Sequence, residues 1–277
     1  MTLLPHRYLQ QTPISDFMST LQSVQLNPTE LCNRTCVFCP RNDSTLYKNS
    51  NRHMTIATCK KIGNQLSEFN FKGRVGLVGF GEPLLNPKLV DCIAALKSNC
   101  PSITWIEVNT NGDFLNRDVV ESLSQAGCTD IAVSMYDQDD TDKYQEMFNN
   151  ININYVLRHH YDKSKDYNLS LVNRIDILKK NVQEINKNSC YIPFYKMFID
   201  WNGDFLLCDQ DWGRESKKYN INNISVANFW TSKLDRYRIN LAKGNRNLQR
   251  PCSSCNVHGR LHGQASFEFI DKLLVDL

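Results

Sequence analysis

Between residues 23 and about 174 the chain alternates short apolar runs with amphipathic stretches, and this alternation constrains the fold more than any other feature. The runs at 23–27, 74–79, 103–109, 130–135, 153–157 and 169–172 have the length of strands and carry Val, Ile and Leu. The stretches at 55–69, 86–98, 117–126 and 141–148 place apolar residues at helical spacing. Strand and helix in repeated alternation predict an α/β fold with a parallel sheet or barrel. Asn86-Pro87 and Asn116 are suited to begin their helices, because an Asn oxygen can accept a free N–H of the first turn. The polar stretch 158–166 reads as a loop.

After about residue 175 the pattern changes. Residues 193–208 read as two short strands around an Asn202-Gly203 turn, followed by a helix over 226–243 and a cysteine-rich tail. The expected organisation is therefore an N-terminal extension (1–22), a core (23–175) and a smaller second domain (176–277), which suits a chain of 277 residues. With 41% hydrophobic and 22% charged residues the composition is that of a soluble globular protein. Lys and Arg are scattered and the net charge is only +3, which gives nucleic-acid binding no support. No apolar run approaches the roughly 20 residues that span a bilayer, and the N-terminus lacks a signal-like apolar segment, so a cytoplasmic protein is expected. In that reducing compartment the eleven cysteines are better read as thiolate ligands than as disulfides.

Cys32-Asn-Arg-Thr-Cys36-Val-Phe-Cys39 places three thiols within eight residues, just past the first strand. Three thiolates can hold three irons of a 4Fe-4S cube and leave the fourth open, whereas a structural zinc wants four ligands. The C-x3-C-x2-C spacing, with aromatic Phe38 before the last cysteine, resembles the signature of the radical S-adenosylmethionine (SAM) enzymes. Gly79-Phe-Gly81-Glu82-Pro83 ends the second strand and looks like that family's glycine-rich motif, which holds the SAM amino group. An ammonium wants a carboxylate, and glycine allows close backbone approach. The resemblance further implies SAM contacts at Asn109 and Asn111, in Asn109-Thr-Asn-Gly112, and at Ser134, in Ser134-Met-Tyr-Asp137. All lie at C-terminal ends of predicted strands, where barrel folds build their sites.

A second set comprises Cys190, Cys208, Cys252 and Cys255. Their spacing alone suits a zinc ribbon as well as an iron-sulfur cluster. Together with the stretch from Phe194 to Asp204 and Asp211-Trp-Gly-Arg214, it resembles the SPASM/twitch subgroup of radical SAM enzymes. Four cysteines complete one cube, which is the shorter, twitch-like version. Asn173-Arg174 matches a pair found in that subgroup, which makes Arg174 the candidate catalytic residue, facing SAM or substrate. Cys59, Cys92, Cys100 and Cys128 lack ligand spacing and read as small buried hydrophobes.

The resemblance implies a partial (β/α)6 TIM-like barrel with a small C-terminal cluster domain, holding a β-hairpin and a helix. It implies SAM and two 4Fe-4S clusters as cofactors, one SAM-binding and one auxiliary, with an external electron donor such as flavodoxin or ferredoxin. The expected reaction is reductive cleavage of SAM to a 5'-deoxyadenosyl radical, which takes hydrogen from an unactivated carbon. With 22 residues before the first strand there is no room for a peptide-recognition domain, so a small polar metabolite is expected: a sugar, cyclitol or nucleotide sugar undergoing two-electron oxidation. Peptide or protein maturation and a redox-neutral epimerisation are the alternatives. A non-catalytic iron-sulfur or zinc protein would need only the cysteines and not the motifs at 79–83 and 109–112.

Overall fold

Five strands, β1 (Ser23–Leu26), β2 (Arg74–Leu77), β3 (Trp105–Thr110), β4 (Asp130–Met135) and β5 (Asn154–His159), lie side by side in chain order, all parallel. Four helices return the chain between them: α1 (Ile56–Ser67), α2 (Leu89–Asn99), α3 (Arg117–Gln125) and α4 (Thr141–Phe148). The computed structural model describes residues 12–36, 39–42, 44, 47–136, 141–159, 187–247, 250–255, 257–260 and 262–275. The strand expected at 169–172 and the boundary expected at 175 lie outside the described residues.

Alternation along the strands separates two faces. Val24, Leu26, Val75, Leu77, Ile106, Val108, Ile131 and Val133 are buried in one core with Ile62, Leu66, Ile93 and Leu96 of the helices. Cys59, Cys92, Cys100 and Cys128 are buried in the same core, as their lack of ligand spacing suggested. On the other face Ser23 and Gln25 of β1, Arg74 of β2, Trp105 and Asn109 of β3 and Arg158 of β5 line a cavity of about 730 Å³. Four strands can line one cavity only if the sheet curves round it, so the parallel strands form part of a barrel with a polar lumen.

Helix starts follow local hydrogen-bonding chemistry. Thr55 accepts from Thr58 N at the head of α1, and Asn116 accepts from Val119 N at the head of α3, as anticipated. Asn86 Oδ1 does accept a free N–H, that of Lys88 at 2.9 Å, while its amide N–H groups hold the carbonyls of Pro28 and Met54; the regular helix α2 begins three residues later at Leu89. The loop expected from residue 158 also begins later, because Arg158 and His159 stay paired with Ser134 and Met135 of β4.

Beyond residue 187, α5 (Ile192–Tyr195) leads into β6 (Lys196–Ile199), which turns at Asn202-Gly203 into β7 (Asp204–Leu206) and then β8 (Tyr219–Asn220). Gly203 has φ +88°, the left-handed geometry that this turn requires. The hairpin is as expected, but it is continuous with the barrel: β6 runs parallel to β1 in the register Ser23↔Lys196, giving the order β5-β4-β3-β2-β1-β6-β7-β8. The helix expected over 226–243 is broken into α6 (Val226–Asn228), a π-helical turn (Phe229–Lys233) and α7 (Asp235–Ala242). Thr231 and Ser232 hydroxyls bond back to the carbonyls of Ala227 and Asn228, which distorts a helix, and buried Arg238 takes the Trp230 carbonyl at 2.6 Å. A last helix, α8 (Gln264–Val275), packs on α5 and α7. It ties the segment before β1 to the C-terminal region through Ser266 Oγ donating to Thr20 O.

Candidate active site and cluster-binding residues

Cys32, Cys36 and Cys39 sit partly exposed in the loop after β1. Cys39 N donates to Cys36 O at 2.9 Å, and the Asn49 side-chain amide brackets Cys32, accepting from its N–H and donating to its carbonyl. The same loop is docked on the end of β3. Arg34 and Asn33 both donate to Asp113, and Asn111 Nδ2 donates to Asn33 Oδ1 at 2.8 Å. The Arg34 hydrogen bond holds the Asp113 carboxyl below the usual range. Burial pushes the Cys39 thiol up to about 11, with Cys36 and Cys32 adding to the rise, and burial raises Cys32 as well. A sulfur-ligated centre binding here must therefore displace protons. Phe38 lies outside the described residues.

The glycine-rich motif meets this loop directly. A Cβ on Gly81 would stand 2.3 Å from Thr29 O and 2.5 Å from Leu31 O, so only glycine lets the end of β2 lie against the approach to Cys32. Glu82 N then donates to Leu31 O at 2.7 Å. Buried Pro83 opens a short 3-10 turn (Pro83–Leu85), capped by the Glu82 side chain at Leu84 N. Glu82 is 3% exposed. Its Oε1 accepts from Thr110 Oγ1 at 2.7 Å and its Oε2 from Asn111 N at 2.8 Å. Burial raises its pKa in spite of these donors. A carboxylate with four acceptor sites still has capacity for an ammonium.

The structure thus brings together Cys32, Cys36, Cys39, Gly81, Glu82, Pro83 and Asn111 at the C-terminal ends of β1, β2 and β3. Asn109 lies one turn of the pleat deeper, with Nδ2 donating to Glu107 Oε1 at 2.7 Å and Oδ1 accepting from Arg158 Nη1 at 2.8 Å. Ser134 pairs in register with Arg158 and hydrogen-bonds Tyr136, whose phenol burial pushes up to about 12. Arg174 and Asp137 lie outside the described residues.

The second cysteine set also converges. Cys190, Cys208, Cys252 and Cys255 line one small cavity, otherwise walled mainly by Ile192, Pro193, Leu207, Leu241, Pro251 and Val257. Gln210 N points at Cys208 Sγ at 3.4 Å and Arg246 Nη1 at Cys255 Sγ at 3.9 Å. Burial pushes Cys252 up to about 12, with Cys190 and Cys255 adding, and raises Cys190 and Cys208. Four thiols outside any disulfide, an apolar wall and N–H groups aimed at sulfur fit a thiolate-held centre. Among the described residues no three His, Cys, Asp or Glu side chains surround one point as a single ion requires. A cube takes one thiolate per iron, so its ligands need share no such point.

Several lumen residues were missed from sequence. Arg74 forms a two-pronged pair with Glu107 at 2.9 and 3.1 Å, with Arg158 Nη2 3.6 Å from the same carboxylate. Lys196 pairs with Asp209 at 2.7 Å. Burial alone would lower Lys196, but Asp209 outweighs it and its pKa ends above the ordinary value. Gln25 Oε1 and His262 Nδ1, on the cavity lining, are buried without a partner among the described residues. The available signal was an acidic residue, Glu107, in the middle of an apolar parallel strand: at period two, such a residue must face a polar lumen.

Residues 26–187 match the profile of the radical SAM superfamily, and the chain belongs to it. Residues 190–256 match SPASM, an iron-sulfur cluster-binding domain, which decides against the zinc reading of the second set. The protein is a radical SAM enzyme using SAM, a SAM-binding 4Fe-4S cluster and an auxiliary one. It is similar to the S-adenosyl-L-methionine-dependent 2-deoxy-scyllo-inosamine dehydrogenase of Niallia circulans, 27% identical over 239 residues, 84% of this chain and 92% of that one. A GTP 3',8-cyclase of Pectobacterium atrosepticum is 34% identical over 113 residues, 40% of this chain but 33% of the cyclase. In fold it resembles BtrN in complex with AdoMet and 2-DOIA, with a TM-score of 0.72 at 24% identity, covering 86% of this chain and 94% of that one. No helix among the described residues is long and apolar enough to cross a membrane.

Proposed function

We propose that this enzyme is an oxidoreductase that oxidises a hydroxyl-bearing carbon of a small polyol, a sugar, cyclitol or nucleotide sugar, held in the barrel lumen, taking one hydrogen from the carbon and one from its hydroxyl. The cavity of about 730 Å³ supports this reading by its size and polarity. Gln22, Ser23, Lys72, Arg74, Thr104 and Trp105 line it at the N-terminal ends of β1, β2 and β3, and it extends toward the SAM-side ends at Val78, Asn109 and Arg158. It falls within the range of small-ligand sites, and its wall of Ser, Gln, Thr, Asn, Arg and Lys side chains with Trp105 offers donors, acceptors and an aromatic face to a hydroxylated ring. Similarity to the 2-deoxy-scyllo-inosamine dehydrogenase over most of both chains favours the same class of substrate and reaction.

With Cys32, Cys36 and Cys39 as ligands of the SAM-binding cluster, one electron from a donor such as flavodoxin or ferredoxin cleaves SAM to methionine and the 5'-deoxyadenosyl radical that abstracts hydrogen. Glu82 accepts the SAM ammonium. Thr110 and the Asn111 N–H hold that carboxylate in place, so its orientation is set before SAM arrives. Asn109 and Ser134 are the side chains assigned to the SAM ribose, and Arg174, outside the described residues, is the further candidate toward SAM or substrate. Cys190, Cys208, Cys252 and Cys255 would hold the auxiliary cluster, which would supply an acceptor for the second electron of the oxidation. The experiment is anaerobic turnover with a panel of sugars, cyclitols and nucleotides. Substrate-dependent formation of 5'-deoxyadenosine with a product two hydrogens lighter supports the reading. An isomeric product, or response only to peptides, would replace it.

A further inference from the structure

Arg214 lies in the SPASM-matched stretch, six residues past Cys208, yet its side chain reaches the first cysteine loop. Its backbone adopts φ +53°, uncommon for a residue with a side chain, in a turn where Arg214 N donates to Asp211 O. The guanidinium pairs with Asp200, meets Glu30 Oε1 at 2.6 Å and donates to the Tyr47 hydroxyl at 3.2 Å. Its carbon stands 5.2 Å from the ring centres of both Tyr47 and Phe80.

Glu30, Tyr47 and Phe80 belong to the SAM-side machinery, and Asp200 is bonded to it. Glu30 is two residues ahead of Cys32, Tyr47 lies on the returning limb of the cysteine loop, and Phe80 is inside the Gly79–Pro83 motif. Asp200, fully buried, also accepts from Asn27 Nδ2 at 2.7 Å, and Asn27 Oδ1 accepts from Phe80 N at 2.9 Å. Arg41, two residues past Cys39, completes the assembly. It donates to Phe80 O and to Asn49, the residue that brackets Cys32, and it stacks 4.5 Å from Tyr47 on its own account. Tyr47 is thus in cation–π contact with one arginine from each half of the molecule. Removing Arg214 leaves two buried carboxylates beside the loop with a counter-charge lost.

We propose that Arg214 is a positioning residue for the SAM-binding cluster. It is the contact through which the C-terminal cluster domain fixes both limbs of the Cys32–Cys39 loop against the SAM-binding motif. The proposal rests on Cys32, Cys36 and Cys39 being that cluster's ligands. Arg214 does not line the cavity of the second cysteine set, so its effect separates the two centres.

The test uses the full-length protein, reconstituted anaerobically. In Arg214→Gln, SAM affinity falls about 10- to 100-fold, the scale for a residue supporting a ligand shell. The SAM-induced change in the electron paramagnetic resonance spectrum of the reduced first cluster diminishes, while the auxiliary cluster's spectrum stays as in the parent. Arg214→Lys keeps the charge but lacks the fork and recovers only part. Tyr47→Phe, which removes one hydroxyl, moves the same readouts by less and decides the matter if Arg214→Gln does not fold. Parental SAM affinity and SAM-induced spectra in these variants would overturn the proposal, as would equal loss of both clusters in Tyr47→Phe. The ligand assignment fails separately: a Cys32, Cys36, Cys39→Ala variant would then keep all its iron.

Discussion

Glu82 Oε2 accepts the backbone N–H of Asn111 at 2.8 Å, bridging the ends of β2 and β3 at the mouth of the barrel. The bond joins two stretches that are 29 residues apart in the chain, and it aims a buried carboxylate at the place where the cysteine loop is docked.

The charge state of Glu82 should govern SAM binding. Burial raises its pKa, and the SAM ammonium needs it ionised. As pH falls through that raised pKa the carboxyl protonates and loses its attraction for the ammonium. SAM affinity therefore weakens with acidification at a higher pH than an ordinary carboxylate would give. Glu82→Gln should bind SAM more weakly, by about 2 kcal/mol or more, and with no acid limb. Calorimetric titration of both proteins across pH checks this, and a parallel acid limb in the variant would assign it elsewhere.

Gly81→Ala should weaken SAM binding and first-cluster retention together. The added methyl meets two backbone carbonyls, Thr29 O and Leu31 O, which cannot swing aside as a flexible side chain would. The check is iron content, expected to fall by about four per chain while the auxiliary four remain.

Breaking the lumen ion pair should destabilise the fold as well as the site. Glu107 is 2% exposed and Arg74 12%, so Glu107→Leu strands buried cationic groups at a cost of about 3 kcal/mol. Arg74→Met combined with Glu107→Leu should cost less than the sum of the single changes, because the Arg74–Glu107 pair is then removed whole and only Arg158 loses its contact with the carboxylate. Denaturant unfolding of the three variants measures the difference.

The strand and helix order, the hairpin turn at Gly203 and both cysteine sets were legible because each rests on local chemistry: period-two burial, a cap at Asn116, a fixed thiol spacing. At Asn86 the local part was legible, since its Oδ1 accepts from Lys88 N, but the amide N–H bonds to the distant carbonyls of Pro28 and Met54 are tertiary contacts no local pattern reveals. The break in the helix over 226–243 depended on buried Arg238 claiming the Trp230 carbonyl. Arg158 looked like loop because its neighbours are polar, although its place opposite Ser134 turns it into the lumen. The Arg214 assembly was illegible for the same reason, since Glu30, Tyr47, Asp200 and Arg214 meet only after the C-terminal half has added β6 to β1.

The auxiliary cysteines should divide the reaction in two. Cys252→Ser with Cys255→Ser opens the second site, so iron falls from about eight to about four. Reductive SAM cleavage should persist in that variant while oxidised product disappears, as read by chromatography of 5'-deoxyadenosine against product. Normal oxidation in the variant would remove the auxiliary cluster from the electron path.

The most direct measurement is mass spectrometry of both products from a polyol deuterated at its hydroxyl-bearing carbons. The account predicts one deuterium in each 5'-deoxyadenosine, one SAM consumed per turnover, and a ketone formed by net loss of two hydrogen isotopes. A product of unchanged composition, or 5'-deoxyadenosine free of deuterium in the presence of every polyol tried, would contradict it.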